Sequence, residues 1–532
     1  MFDSGLAGLD KPALISAIEQ AACEEVRAGA RKTAAIAALV HDHVTYDDVR
    51  DEWVWDSWIE TACELGAVLN TSHRRASAQM RIAVALRDRL PGVAALHAQG
   101  RLSARLIGQI TWRTRLVQDP QALALIDAAI AEKATRWEPL SEDNLTAALD
   151  AVIERFDPDA VIRTREQLKG VDFRIGASDD PDALVTVWGK ILGCDAVVLA
   201  ARIAELLKGL CDADPRGIGE RRSCAVGAIV RGQDHLPCRC GSPDCAAAPV
   251  VPGSSNVVIS VLADPAALEA VRSLIADEDR HQQDALAEKQ PHAVKAKEQG
   301  EPAAPAPSNR GRCVRDSGTA LLPGVKILPI VALAEAIRAG AAIKQLWLPG
   351  PDPEPHYRPS AKLAAFVRAR DLFCRYPGCN VPAEQCDIDH VVPWPYGPTH
   401  PSNLNCKCRT HHLGKTFAEG WHEEQLPDGT VIWTTPAGQR YSTVPGSRLF
   451  FPGWDTTTAE LPPMAQPPPD PDRLAKMPKR RRTRAADHAA RIKAEREDNA
   501  HQRALETERA AARRSGLPPP APPDYGDDPP PF

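Results

Sequence analysis

The chain has 532 residues, and because folded domains usually contain about 100–200 residues, this length predicts several structural units and excludes one compact domain. Its 48 prolines are close to twice the ordinary frequency of about 5%, which favours extended or disordered segments between packed parts. The net charge of −6 gives no overall sign of a polyanionic partner, and the 14 cysteines are too sparse for a disulfide-stabilised scaffold.

The cellular compartment is predicted from two signals, a signal peptide and a membrane-spanning segment. Its N-terminus has no basic region followed by an apolar stretch, so no signal peptide is predicted. No apolar run reaches the roughly 18 residues that span a bilayer, and the best candidate, residues 185–201, is interrupted by Lys190 and Asp195. We therefore expect a soluble, cytoplasmic protein without a membrane partner. Its cysteines are then reduced, and serve as small buried residues or as metal ligands.

Apolar residues at helical spacing dominate the first part of the chain, residues 11–115. Ile82, Leu86 and Leu90 form an i, i+4, i+8 stripe that Pro91-Gly92 should end, and Ser103 is a suitable N-cap for a later helix. Short helices joined by glycine turns and rich in arginine are compatible with a helix-turn-helix that reads DNA. The favoured interpretation is a helical bundle with a solvated basic face.

The following segment predicts a mixture of elements. Strands are expected at residues 171–175, 184–188 and 257–262, and a helix at residues 196–210. Together, residues 10–275 predict one large, mainly helical domain with a few short strands. The remaining units are a disordered linker (276–312), a helix near 330–346 and a hinge (within 313–355), a compact Cys- and His-rich block (356–440) and a disordered tail (455–532).

The tail is proline-rich at both ends and strongly basic between them. Residues 473–514 contain 14 Lys or Arg and 6 Asp or Glu, and the basic run is densest at residues 479–484. Such a run is typical of a solvated, disordered segment with a helix-like insert, and next to a nucleic-acid enzyme it can add phosphate contacts.

Two pairs of metal-ligand residues frame the compact block. The pairs are Cys374 with Cys379, around a Pro-Gly turn, and Cys408 with His411. They predict a tetrahedral Cys3His site of the structural zinc type. Cys386 and Cys406 lie inside the frame, and Cys406 is an alternative to Cys408 as the ligand.

A second layer of residues has a catalytic pattern. Asp389 and His390 are adjacent, and His412 follows His411, so that on a helix its side chain is rotated about 100° away from the zinc site. A carboxylate and an imidazole suit a divalent cation, and a neutral histidine suits a general base. This combination is typical of phosphodiester hydrolysis.

The order Asp389-His390, Asn403, His412 and Lys415 resembles the HNH endonuclease motif, whose fold is a small ββα-metal domain. The flanking sequence is similar to the actinobacterial (mycobacterial-type) repeat-element family. In that family a helical N-terminal domain of unknown function precedes a C-terminal HNH nuclease. The similarity covers most of residues 10–440.

The resemblance implies a role for each of six residues. They are His390 as general base, Asp389 and His412 as ligands of a catalytic cation (Mg, Mn, Ni or Zn), Asn403 as a residue that orients His390 or binds the metal, and Arg409 and Lys415 as phosphate contacts. The implied protein is a nucleoid-associated DNA endonuclease, with a possible homo-oligomer formed through the helical domain. The alternative is a non-catalytic, zinc-containing DNA-binding or mobile-element accessory protein.

A second cysteine cluster lies in the helical part. Three cysteines and a histidine occur within eleven residues, together with Pro and Gly for tight turns; they are His235, Cys238, Cys240 and Cys245. The spacing predicts a second structural zinc site with His235 as the fourth ligand. The alternatives are a loop with free thiols, or a ligand from Cys211 or Cys224.

Overall fold

The structure is a computed structural model. It describes residues 6, 8–45, 49–137, 139–162, 172–176, 186–191, 193–240, 242, 245, 261–288, 318–322, 326–338, 341–465, 467–468 and 470–515. Over these residues the chain is mainly helical with a few short strands, as predicted. No helix among them is long and apolar enough to cross a membrane.

The α-helices and strands fall into three successive groups. The first contains α1 (Lys11–His43), α2 (Ser57–Val68), α3 (His73–Asp88), α4 (Pro91–Ala98), α5 (Ala104–Arg113), α6 (Pro120–Lys133) and α7 (Glu142–Phe156). The second contains β1 (Asp172–Ile175), β2 (Val187–Lys190), α8 (Gly193–Lys208), α9 (Ile218–Val230), β3 (Leu262–Ala263), α10 (Pro265–Glu288), β4 (Ala320–Leu322), β5 (Lys326–Ile327) and α11 (Ile330–Arg338). The third contains α12 (Ala361–Asp371), β6 (Cys386–His390), β7 (Leu404–Cys408), α13 (Arg409–Phe417), β8 (His422–Gln425), β9 (Val431–Thr434), β10 (Arg440–Thr443), α14 (Ser447–Phe450) and α15 (Arg484–Ser515).

Polar N-cap residues explain where several helices begin. Asp56 accepts a hydrogen bond from Ile59 N (2.9 Å) at the start of α2, and Ser103 accepts one from Leu106 N (3.3 Å) at the start of α5. Each cap satisfies a backbone N–H group that the first turn of a helix leaves free. Pro91 starts α4. The predicted break after α3 and the predicted cap at Ser103 are therefore confirmed.

One hydrophobic core joins the first helices to the Cys- and His-rich residues 356–440, the C-terminal block. Trp55 and Cys63 are buried in the same cluster as Trp433, and Gly414 of α13 leaves no room for a Cβ beside the Trp55 ring. The sequence predicted residues 10–275 as a separate domain. The structure departs from this boundary, because α2 packs into the core of the C-terminal block.

The predicted site residues lie on a hairpin and a helix. Strands β6 and β7 pair antiparallel with Cys386 opposite Cys408, and α13 begins at the residue after β7. Alternate side chains of a strand share a face. Asp387 and Asp389 therefore lie on one face of β6, whereas Cys386 and His390 lie on the other.

Two predictions for the middle of the chain need correction. α10 continues to Glu288, so the start of the predicted linker (276–312) is helical, in agreement with its strong helix formers; residues 289–317 lie outside the described residues. The helix predicted over residues 330–346 ends at Arg338. Residues 341–350 have no regular secondary structure.

In the predicted tail, residues 455–532, the helix-like insert is present as α15, but the described part contacts the rest of the protein where a disordered, solvated segment was expected. α15 is a long helix, and the basic run before it is occupied by protein contacts. Arg480 Nη1 and Arg484 Nε each lie 2.9 Å from Asp56 Oδ2, the N-cap carboxylate of α2. Composition indicated a solvated segment because it does not reveal acidic partners elsewhere in the chain. Residues 516–532 lie outside the described residues.

α15 packs along the helical part through apolar and charged contacts. Ile492 is buried in the core formed by α3 to α7. Arg496 binds Asp157 with N–O distances of 2.7 and 3.2 Å, and Arg115 Nη2 lies 2.9 Å from Glu495 Oε1. The end of the described chain is therefore part of the folded structure.

Candidate metal and catalytic sites

Four side chains of the C-terminal block meet in one buried cluster. They are Cys374, Cys379, Cys408 and His411, and their candidate ligand atoms all lie within 4.8 Å of one another. His411 Nδ1 is 3.3 Å from Cys374 Sγ and 3.2 Å from Cys408 Sγ. The structure thus brings together the four residues that the spacing predicted, and the cluster can hold a metal ion such as zinc.

Local backbone geometry places these ligands. Gly378 has a φ of 70°, which suits the tight turn between the first two cysteines. Cys408 ends β7 and is the N-cap residue of α13, so His411 follows in the first turn of that helix. Burial acts to raise the pKa of Cys374, but hydrogen bonds from Cys379 and the other nearby thiols hold it well below its usual range. This favours the thiolate, the form that binds metal.

The structure distinguishes Cys408 from Cys406. Cys406 is fully buried but lies outside the cluster. Burial, with the Asp371 carboxylate nearby, raises the pKa of Cys406 well above its usual value. Its position opposite Ile388 in the hairpin also directs it into the apolar core. Cys408 is therefore the candidate ligand.

The second cluster forms with a different fourth residue from the one predicted. Cys238, Cys240 and Cys245 meet Cys211, and the four sulfurs lie within 4.8 Å of one another. Cys211 Sγ is 3.3 Å from Cys238 Sγ. The choice of His235 is wrong, because this residue lies outside the group. The sequence favours the nearby histidine over the alternative ligand Cys211, because only the chain fold after α8 brings Cys211 close to the other three cysteines.

The two predicted ligands of a catalytic cation face each other. His412 Nε2 is 3.4 Å from Asp389 Oδ1, and His412 Nδ1 is 2.8 Å from Asp387 Oδ2. Burial acts to lower the pKa of His412, but the two carboxylates raise it overall. A carboxylate on the second ring nitrogen fixes the orientation of a histidine, as is common for metal-binding histidines.

Two lysine side chains approach the same carboxylate. Lys415 Nζ lies 3.0 Å from Asp389 Oδ2 and also donates a hydrogen bond to His390 O. Lys407 is fully buried, and its Nζ lies 3.3 Å from Asp389 Oδ2 and 2.8 Å from Glu423 Oε2. Burial acts to raise the pKa of Asp389, but the two ammonium groups hold it well below its usual range. Asp389 therefore stays ionised.

The predicted general base, His390, is only 4% exposed. Its Nε2 is 2.9 Å from Thr399 Oγ1, and the Thr399 hydroxyl donates its hydrogen bond to His356 O at 2.6 Å. Because that hydroxyl has one proton, Nε2 is the donor of the first pair, and Nδ1 of His390 carries the lone pair. The ring stacks on Tyr357 with centroids 5.4 Å apart. Burial lowers the pKa of His390, which favours the neutral ring.

Asn403 binds the backbone of the loop that follows β6. Its Oδ1 accepts a hydrogen bond from Val392 N (2.8 Å), and its Nδ2 donates to Val392 O (3.0 Å) and Pro398 O (2.9 Å). These contacts fix the loop that follows β6. Of the two roles implied by the resemblance, orientation of His390 and metal binding, the contacts support the first in this indirect form.

The two predicted phosphate contacts differ in accessibility. The Arg409 side chain is 67% exposed and its Nη1 lies 3.6 Å from Asp387 Oδ2, at the rim of the site. The Lys415 side chain is only 11% exposed. Arg409 can therefore meet a large polyanion directly, whereas Lys415 lies inside the site.

Sequence reasoning missed three residues of the site: Asp387, Thr399 and Lys407. Asp387 lies two positions before Asp389, and this alternation is a signal for a shared face. A lysine at position 407, between two cysteines of a buried strand, is a departure from apolar patterning that indicates a buried partner. Thr399 has no local signal, since the loop that brings it to His390 is irregular.

Comparison with known proteins places most of the helical part in one family. Residues 20–304 match the family described as Domain of unknown function (DUF222). This match covers more than half of the chain, and the chain therefore belongs to the DUF222 family. The predicted similarity to a mycobacterial family with a helical domain of unknown function is confirmed to this extent.

Several relatives from Mycobacterium tuberculosis are similar over longer stretches. "Uncharacterized protein Rv3776" is 48% identical over 92% of this chain and 91% of its own length. "Uncharacterized protein Rv2100" is 48% identical over 92% of this chain and 88% of its own length. "Uncharacterized protein in est 3'region" is 43% identical over 68% of this chain and 97% of its own length. No solved structure matches the chain.

Proposed function

We propose that this protein is a divalent-metal-dependent HNH endonuclease that hydrolyses DNA phosphodiester bonds. The observation that carries the proposal is the contact of one carboxylate of the β6–β7 hairpin with a histidine and a lysine of α13, next to a second histidine at the end of β6. They are Asp389, His390, His412 and Lys415. The hairpin followed directly by a helix has the order of elements of a ββα-metal domain, and the sequence motif supports the same assignment.

Asp389 and His412 fit one divalent cation. Two ligands about 2.1 Å from one ion stand roughly 3.0–3.4 Å apart, and the distance between Asp389 Oδ1 and His412 Nε2 is 3.4 Å. When bound, such a cation (Mg, Mn, Ni or Zn) stabilises negative charge that develops on the phosphate and the departing oxygen. Asp387 holds His412 in the orientation that this binding needs.

His390 supplies the base. Its Nδ1 takes a proton from the water molecule whose oxygen forms the new bond to phosphorus, and the 3′ oxygen departs with the electron pair of the broken bond. Thr399 holds the ring in the tautomer that leaves Nδ1 unprotonated. Arg409, exposed at the rim, binds a neighbouring phosphate of the DNA backbone.

The two cysteine clusters are proposed to hold structural zinc. One is the Cys3His cluster at His411, and the other is the tetrathiolate cluster around Cys211. Binding of a structural zinc ion contributes an apparent free energy of about 10–16 kcal/mol. This is enough to order the two segments that carry the ligands.

Plasmid nicking tests the endonuclease proposal. Full-length protein is incubated with supercoiled DNA and Mg²⁺, Mn²⁺ or Ni²⁺, and a chelator is added to parallel samples. We expect metal-dependent nicking, and His390→Ala should lower its rate by about 10²–10⁴-fold, the contribution of a general base. His422→Ala, which removes an exposed histidine of β8, is the matched control and should cut at the wild-type rate. Metal-dependent cleavage that survives His390→Ala would remove the base from the mechanism.

A non-catalytic, zinc-containing DNA-binding protein is the second candidate. It is favoured by one observation, namely that Lys407 and Lys415 both lie beside Asp389 Oδ2 and compensate its charge without a cation. In that case wild-type protein shifts DNA in a gel, and the shift is independent of added Mg²⁺. Failure to cut DNA or RNA with any of the metals, together with such binding, would decide for this function.

A further inference from the structure

The ligand His411 has one ring nitrogen that the Cys3His cluster does not use. Nδ1 is in contact with two sulfurs, whereas Nε2 is buried and meets hydrogen-bond geometry with no group of the described residues. A metal-bound imidazole carries a proton on its second nitrogen, and that proton needs an acceptor when it is buried. The residues that surround His411 Nε2 outside the cluster therefore decide whether this proton has an acceptor.

Helices α2 and α3 of the DUF222 part supply these surroundings. Cys63 on α2 and His73 at the start of α3 form a second group with His411, in which one candidate ligand atom of each residue lies within 4.8 Å of the others. All three are buried. The His73 ring meets the His411 ring edge to face, with centroids 5.2 Å apart. His73 Nδ1 is also buried without a hydrogen-bond partner.

The segment between Cys374 and Cys379 contacts the face of the His411 ring. Tyr376 stacks on His411 with centroids 3.8 Å apart, and its hydroxyl donates a hydrogen bond to Cys63 O at 3.0 Å. A Cβ at Gly378 would lie 2.5 Å from Thr71 O, so the turn between the cysteines touches the α2–α3 loop. The cluster and these two helices are thus in direct contact.

We propose that His73 is a positioning residue of the zinc site: its Nδ1 accepts the hydrogen bond of His411 Nε2–H when Nδ1 of His411 binds zinc, with Cys63 closing the pocket. A buried donor and a buried acceptor, each without another partner, satisfy one another by this bond. The helical DUF222 part thereby orients a metal ligand of the C-terminal block. The inference rests on the proposed zinc at Cys374, Cys379, Cys408 and His411.

Zinc release from the full-length protein tests the inference. The protein is mixed with an excess of a chromogenic chelator, and the release phase of the tetrathiolate cluster is identified as the one that Cys240→Ser removes. We expect His73→Leu to release zinc from the Cys3His cluster 10–100-fold faster than wild type, since loss of such partners typically weakens binding by this factor. His73→Asn places an acceptor oxygen where Nδ1 lies and should release zinc at close to the wild-type rate.

His97→Leu is the matched control. His97 is a buried histidine of α4 whose Nδ1 lies 2.8 Å from Leu102 O, so its loss perturbs the helical part without touching the cluster. Equal release rates for wild type and His73→Leu would overturn the proposal. If His73→Leu does not fold, the comparison of His73→Asn with the longer His73→Gln gives the same decision, because only the shorter amide places its oxygen at the position of Nδ1.

Two further outcomes are distinguishable by metal content. If the wild-type protein binds no zinc at the Cys3His cluster, the proposed zinc site itself is refuted, and not only the role of His73. The wild-type protein could instead bind one zinc ion more than the two clusters account for. If both Cys63→Ala and His73→Leu lose this extra ion, Cys63, His73 and His411 hold an ion of their own. That result would overturn the positioning role.

Discussion

One hydroxyl group determines which nitrogen of His390 can take a proton. Thr399 Oγ1 lies between His390 Nε2 (2.9 Å) and His356 O (2.6 Å), and its single proton is directed to the carbonyl. In the other tautomer Nδ1 would carry the proton and could not act as a base. At the scale of single residues, the proposed chemistry thus depends on a neighbour that has no catalytic function of its own.

The pH dependence of cleavage should reflect the burial of His390. Burial lowers its pKa below the ordinary value of about 6.5. The base works in its neutral form, so activity is lost as pH falls through this lowered pKa. We expect the acid limb of kcat/KM, measured by plasmid nicking at different pH values, to lie below pH 6.5. Thr399→Ser keeps the hydroxyl and should retain the profile; an acid limb above pH 6.5 in the wild type would contradict the assignment.

At the scale of elements, a buried arginine joins α12 to the hairpin. Arg370 and Asp371 form an ion pair of 2.8 Å with both side chains fully buried. Arg370 also donates hydrogen bonds to Pro401 O (2.8 Å) and Leu404 O (2.7 Å), at the start of β7. Asp371 Oδ2 accepts one from Cys406 N (2.8 Å). These bonds hold β7 in place.

Removal of this arginine should destabilise the whole block. Arg370→Met leaves the Asp371 charge buried without its ion-pair partner and removes the hydrogen bonds to Pro401 O and Leu404 O. Loss of one member of a buried pair typically costs about 3–5 kcal/mol. Urea unfolding followed by tryptophan fluorescence measures the change. Lys362→Met on the exposed side of the same helix is the control and should change stability by less than about 0.5 kcal/mol. A similar effect of both substitutions would contradict the structural role of the ion pair.

At the scale of the whole molecule, α15 connects the last described residues to the helical part. Arg496 binds Asp157 through two N–O contacts, and the two side chains are 24% and 9% exposed. Upstream of α15, Arg473 donates hydrogen bonds to Lys415 O and Thr416 O at the end of α13. The C-terminal segment therefore contacts both the helical part and the candidate site.

A charge exchange tests this packing. Arg496→Glu and Asp157→Arg should each speed proteolysis within α15, because each places like charges together. The double variant should restore part of the protection, with a coupling free energy of about 0.5–3 kcal/mol, as found for residues in contact. Lys493→Gln, on the exposed face of the helix, should have no effect. Additive effects of the two reversals would show that the ion pair does not hold α15.

Features that depend on short spacing could be predicted from the sequence alone. Cys374, Cys379, Cys408 and His411 could be predicted as one cluster because a tight turn and the first turn of a helix bring each pair together locally. The break at Pro91 and the cap at Ser103 depend on single residues and their neighbours. The motif residues Asp389, His390 and His412 were predicted as site residues for the same reason.

Only the tertiary structure decided the contacts between distant segments. Cys211 in place of His235, α2 in the core of the C-terminal block, and His73 beside His411 all join residues that are far apart in the chain. Such contacts leave no period or spacing in the sequence, because apolar and charged residues do not specify their partners locally. The same reason made the basic tail look solvated, although Asp56 pairs with Arg480 and Arg484 and Asp157 pairs with Arg496 in the folded protein.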